Sequence, residues 1–250
     1  MEQRLPIFTT GRWYDFDEYA EIICQLHDLT PKMNIISMLK EIFDKAGVDP
    51  DFKPTELGGL SDERRQRLRV HVSMQILSLC VELTEDVAAI CSAYSEAREK
   101  GNKRVPEYLR DFRNPDAFYE EASRDIRFAA KACSYDAIAE VDRALSVLPI
   151  FQQIHVFRIK YKDWYNGYKH GQRTIPLAVS FPEDSQTQHW GLYKIPKPFI
   201  EQSNKFFVEA SFLISPDGVD EFIRMARGVV QLWIDVRAIQ YPHVFGHSIP

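Results

Sequence analysis

Apolar residues recur at helical spacing along most of the chain, and the longest such pattern lies between residues 61 and 100. Leu68, Val72, Ile76, Leu79, Leu83, Val87, Ile90 and Tyr94 follow steps of four, four, three, four, four, three and four, a near-heptad stripe that stays on one helix face for many turns. Asp62 and Glu63 complement the macrodipole of a helix opened by Ser61, and Gly101-Asn102 stops it near Lys100. About forty residues at ~1.5 Å each make a rod of roughly 60 Å. Such a rod suits the spine of a bundle or one strand of a coiled-coil dimer, and the bundle is the expectation.

Shorter elements flank it. Two helices are predicted between Asp15 and Gly47, broken at Thr30-Pro31, where threonine caps and proline suits a first turn. The Pro- and Gly-bearing stretch Val48–Leu60 reads as a hinge loop. Beyond the long helix the pattern predicts a short helix over Val105–Asn114, helical segments from Pro115 to about Cys133 and from Asp136 to Leu148, and another starting at Pro149. The last has Ile150, Ile154, Phe157, Tyr161, Trp164 and Tyr168 as its apolar face and ends at His170-Gly171.

The period then changes. TIPLAVSF, HWGLYKIPKPF and KFFVEASFLI are β-branched and aromatic, which predicts two or three short strands. A final helix begins at Ser215-Pro216-Asp217, with Val219, Phe222, Ala226, Val229, Trp233 and Val236 toward the core. The expected fold is therefore mainly α, a helical bundle with a small β-strand insertion before the last helix. Its parts are an N-terminal helical segment and hinge (1–60), the bundle (61–240) with the insertion at about 174–214, and an irregular tail (241–250).

Composition narrows the classes. With 45% hydrophobic and 27% charged residues the chain is an ordinary globular one. No apolar run approaches the ~20 residues of a membrane span, and the N-terminus MEQRLPIFTTGRW has no signal-peptide stretch. Cys24, Cys80, Cys91 and Cys133 have no CxxC spacing and sit among apolar residues, as buried reduced thiols do. Together these point to the cytoplasm and to no membrane partner. The net charge of −5 leaves nucleic-acid binding to a local patch.

Such a patch lies in HVFRIKYKDWYNGYKHGQR, His155–Arg173, where Arg158, Lys160, Lys162, Lys169 and Arg173 stand against the single acid Asp163. Arg158, Lys162, Asn166 and His170 are four residues apart and form one polar ridge on a helix. An imidazole, an amide and two cations on one ridge can bind a phosphodiester and move a proton near neutral pH. The structural reading stands beside this one: Lys169 and His170 offset the dipole of a last turn, and Gly171 closes the helix.

YNGYKHG, Tyr165–Gly171, at the end of an aromatic-rich helix, resembles the motif region of the HEPN superfamily (higher eukaryotes and prokaryotes nucleotide-binding). That resemblance implies a helical bundle, commonly dimeric, and a metal-independent endoribonuclease or a catalytically weakened relative in bacterial antiphage defence or toxin–antitoxin systems. Aligning Asn166 and His170 with the family motif puts Tyr165 where the family has an arginine that holds the scissile phosphate. Tyrosine supplies neither that charge nor its fork of donors. On the resemblance His170 is the general base toward a ribose 2′-OH, Asn166 positions the phosphate or the imidazole, and Lys169 with Arg158 or Arg173 offsets developing charge. Lys162 extends the phosphate-binding face. RNA or a nucleotide, and a homodimer or protein partner, are the implied partners; no metal or other cofactor is. The alternative is a non-catalytic helical interaction or scaffold protein, suggested by the long heptad-like helix and the missing arginine.

Other constellations are weaker. Glu82, Glu85 and Asp86, and Glu18 with Glu21, lack the Glu-x-x-His of a di-iron site and read as solvated faces, with Glu82 or Glu85 an option for pairing with the ridge. His27-Asp28 and His243 with His247 are too few for metal sites. ERRQRLR, Glu63–Arg69, reads as a solvated face or an extension of the phosphate patch. No P-loop, dinucleotide fingerprint or GxSxG elbow is present.

Overall fold

The computed structural model describes residues 28–49, 51, 61–100, 108–109, 111–133, 141–169, 174–181, 184–194, 201–202, 205–206, 209–213 and 216–240. Its architecture is mainly helical. The helices are α1 (Thr30–Val48), α2 (Asp62–Lys100), α3 (Pro115–Arg124), α4 (Ile126–Ala132), α5 (Val141–Lys169) and α6 (Pro216–Gln240). The helix predicted from Asp15 and the C-terminal tail lie outside the described residues, as does most of the hinge. Of the helix predicted over Val105–Asn114 one turn is described, in which the Phe112 N–H donates to Tyr108 O at 3.0 Å.

α1 begins where the sequence predicted, with proline in its first turn, and the Asp28 carboxylate accepts from the Thr30 N–H at 2.9 Å. α2 is the spine, roughly 58 Å at ~1.5 Å per residue, and it contacts α1, α3, α4, α5 and α6. Its burial is wider than one stripe. Val72, Ile76, Leu83, Val87 and Ile90 are buried, and so are Val70, Met74, Leu77, Cys80, Val81, Ala88 and Cys91. A helix apolar on more than one face belongs inside a bundle with neighbours on several sides. The α5 face predicted from Ile150 to Tyr168 packs inward, as does the whole predicted face of α6.

Two boundaries differ from the sequence reading. The segment expected to run from Pro115 to Cys133 divides at Asp125, whose backbone is extended. Its N–H closes α3 on Glu121 O, and its carboxylate accepts from the Arg127 N–H at 2.8 Å to cap α4; a short acid that satisfies backbone donors outside the helix competes with helix continuation. Pro149 does not start a helix but lies inside α5. The proline is exposed, so the Leu145 carbonyl that loses its partner can turn to water instead of being buried unpaired.

Between α5 and α6 the backbone carries extended segments β1 (Thr174–Phe181), β2 (Asp184–Lys194), β3 (Glu201–Gln202), β4 (Lys205–Phe206) and β5 (Glu209–Leu213). β2 pairs antiparallel with β1 and β5, and β3 pairs with β4.

Cys80, Cys91 and Cys133 are free and buried. The Cys80 thiol donates to Phe222 O at 3.2 Å, and burial pushes the Cys91 thiol up to about 12. Ion pairs tie the helices at the surface: Lys32 to Asp86 at 2.6 Å, Lys40 to Asp220 at 3.5 Å and Lys160 to Glu221 at 2.9 Å. Among the described residues no helix is long and apolar enough to cross a membrane.

Candidate functional site

The predicted ridge runs along α5 and meets two different environments. At Arg158 it turns into the bundle. This side chain is 4% exposed, and its Nε and Nη2 lie 2.8 and 2.7 Å from Asp116 Oδ1 on α3. Its Nη1 donates to Thr84 Oγ1 on α2 at 2.6 Å, and Glu85 Oε1 is 3.6 Å from Nη2. The Thr84 hydroxyl itself donates to Val81 O at 2.6 Å, while the Thr84 carbonyl accepts from the Tyr119 hydroxyl at 2.7 Å. One guanidinium thus holds α2, α3 and α5 together through a connected polar network. Lys162, one turn on, also bonds to the Asp116 carboxylate.

Asp116 carries the electrostatics of this knot. Burial alone pushes its carboxyl up, but hydrogen bonds and charge from Lys162 and Arg158 outweigh that and hold it below its usual value. A carboxyl with a folded value below its unfolded value of about 3.9 stabilises fully above about pH 4 and loses that contribution as pH falls through the folded value. Stability measured by urea unfolding is therefore expected to drop on acidification below about pH 4, with a shallower drop in Asp116→Asn. Equal acid slopes in the two proteins would contradict this role.

At its other end the ridge faces solvent. Tyr165, at the family arginine's position, is buried, and its hydroxyl accepts from Lys169 Nζ at 3.0 Å. That bond is the first cause of the raised Lys169 value, and the negative charges of Glu85 and Glu82 add to it, against burial, which lowers it. Among the described residues no carboxylate lies within ion-pair distance of Lys169, and the half-exposed Asn166 amide has no side-chain partner. His170 and Arg173 lie outside the described residues. The structure thus brings Arg158 and Lys162 onto one carboxylate and leaves Asn166 and Lys169 together a turn or more away.

Two features were not found from sequence. Asp116 looks like an ordinary first-turn acid after Pro115, and no local signal joins it to a residue forty-two positions away. The second is a surface seam. Leu145, Pro149, Gln152, Val156 and Ile159 are all exposed and follow steps of four, three, four and three, the same spacing as the buried face of α5. Leu145, Val156 and Ile159 are 52%, 63% and 69% exposed. Beside the seam a groove of about 540 Å³ runs between α5 and α6, with Pro149, Val156 and Phe157 on one wall and Arg224, Met225 and Gly228 on the other.

No family model, curated protein or solved structure matches the chain.

Proposed function

We propose that this chain is a HEPN-like helical bundle that works as a protein-interaction module, a relative weakened as a nuclease. The observation that carries the reading is the second seam of α5, a heptad-spaced row with three exposed large aliphatics on a helix whose opposite seam already fills the core. Heptad rows are the geometry by which helices pack on one another, and solvent-facing aliphatics in a row mark interaction surfaces. The ridge supports the same reading from the other side. Arg158 and Lys162 are committed to Asp116, so along the ridge, among the described residues, the positive charge left for a phosphate is that of Lys169, with tyrosine at the arginine position. The extended segments between α5 and α6 are read as a small sheet inserted into the bundle, and two copies or a separate protein as its partners.

A second reading keeps RNA, because Asn166 and Lys169 present donors that no carboxylate among the described residues occupies. It makes His170 the base of a metal-independent cleavage. Incubation of wild type and His170→Ala with mixed tRNA and mRNA in EDTA, followed by a denaturing gel, separates the two. Neither protein is expected to cleave. Discrete cleavage by wild type alone overturns the interaction reading. Binding without cleavage through two or three phosphate contacts would weaken on the order of tenfold over a fourfold rise in salt, whereas an apolar interface would change little.

A further inference from the structure

The groove between α5 and α6 has a definite chemistry. Its walls are largely apolar, with Ile150, Val156 and Phe157 from α5 facing Met225 from α6. Its volume, about 540 Å³, lies in the range of ligand pockets, ~300–1,000 Å³. Gly228 lies mid-helix on the α6 wall, where glycine costs about 1 kcal/mol against alanine. A Cβ built there meets nothing within 4 Å. Packing inside this chain therefore gives no reason for glycine, while a bare backbone at the groove allows another backbone to approach closely.

The charges on the groove are unequal. The acid that lines it, Glu221, is already engaged by Lys160 at 2.9 Å and by the Tyr161 hydroxyl at 2.8 Å. Arg224 lines the same groove, and Arg227 is exposed one turn further along α6; neither has an ion-pair partner among the described residues. On the α5 wall the polar residues Gln152 and Gln153 are neutral. Among the described residues the uncompensated charge at this groove is basic, on a chain of net charge −5.

We infer that the α5–α6 groove receives an acidic amphipathic helix of a partner protein, apolar side chains over Phe157 and Val156, backbone close to Gly228, and carboxylates toward Arg224 and Arg227. This rests on the interaction reading above and names the partner's chemistry. A helix laid in an apolar groove with charged flanks is a recurring mode of recognition, and the basic rim sets the sign of the partner it prefers.

The test uses the full chain and a fluorescein-labelled synthetic helix of about 18 residues, roughly 27 Å long, with leucine at the heptad a and d positions and glutamate and alanine elsewhere. A matched peptide carries lysine in place of glutamate. Fluorescence anisotropy is expected to show binding of the glutamate peptide and much weaker binding of the lysine one. Gly228→Leu adds a side chain at the groove from a position whose Cβ meets no neighbour, and Val156→Asp places a carboxylate beside it. Each is expected to weaken binding about tenfold or more without lowering the melting temperature, which Gly228→Leu should raise slightly by removing a mid-helix glycine. Arg224→Glu with Arg227→Glu is expected to reverse the preference toward the lysine peptide, a result that general loss of folding cannot produce. Absence of binding to wild type, equal binding of the two peptides, or binding indifferent to both groove substitutions overturns the inference. RNA cleavage in the gel assay overturns the interaction reading whatever the peptide does, so the two failures are distinguishable.

Discussion

Arg158→Ala is expected to lower the unfolding free energy by about 3 kcal/mol, the low end of the range for removing one partner of a buried charge pair, because Asp116 is a third exposed and keeps Lys162. In a protein of this size that corresponds to a fall in melting temperature on the order of 10 °C. The loss comes from what the substitution strands. Asp116 keeps only Lys162, Thr84 Oγ1 loses the donor it accepts from, and the point where α2, α3 and α5 meet is left with a hole beside Tyr119. Urea unfolding checks the size of the effect, and a double-mutant cycle with Asp116→Asn checks its origin. Because the two changes remove the same contacts, the second should cost less in the Arg158→Ala background than alone. Additive costs, or an unmoved midpoint, would show that the guanidinium does not hold the bundle together.

Phe222→Ala should cost at least as much, ~3–5 kcal/mol, through a cavity instead of a charge. The ring is fully buried and meets Phe157 and Tyr161 edge-on, with centroids 6.2 and 5.0 Å away, and the residue's carbonyl accepts the Cys80 thiol. Phe222→Leu keeps much of the volume and should cost less than about 1.5 kcal/mol. Similar unfolding midpoints for the two variants would mean that the site collapses around the gap, and that α6 is held chiefly by its other contacts.

The apolar periods of α2, α5 and α6 were legible because burial repeats with the helical turn, and Val219 through Val236 or Ile154 through Trp164 follow it residue by residue. The breaks were less legible. Asp125 divides one apolar pattern into α3 and α4 by a hydrogen bond that any aspartate in a helical run is able to make, and Pro149 sits in α5 because its position faces water. The ridge was legible as a ridge, since Arg158 and Lys162 do share a face and a carboxylate. Its direction was not. Whether that face points at solvent or at α3 depends on how α3 packs, which four-residue spacing does not encode. The seam through Val156 and Ile159 was legible in principle, but its spacing repeats that of the buried face, and a period alone does not say which of two seams the core will take.

The sealed thiols have a practical reach. Cys80, Cys91 and Cys133 have no exposed sulfur and no disulfide, and burial suppresses the thiolate that oxidants and alkylating reagents attack. For these three positions the chemistry of the surroundings is screened out by the fold itself, so their modification records each opening of the core. The interior of the bundle carries its own clock of unfolding, read in the mass of the protein.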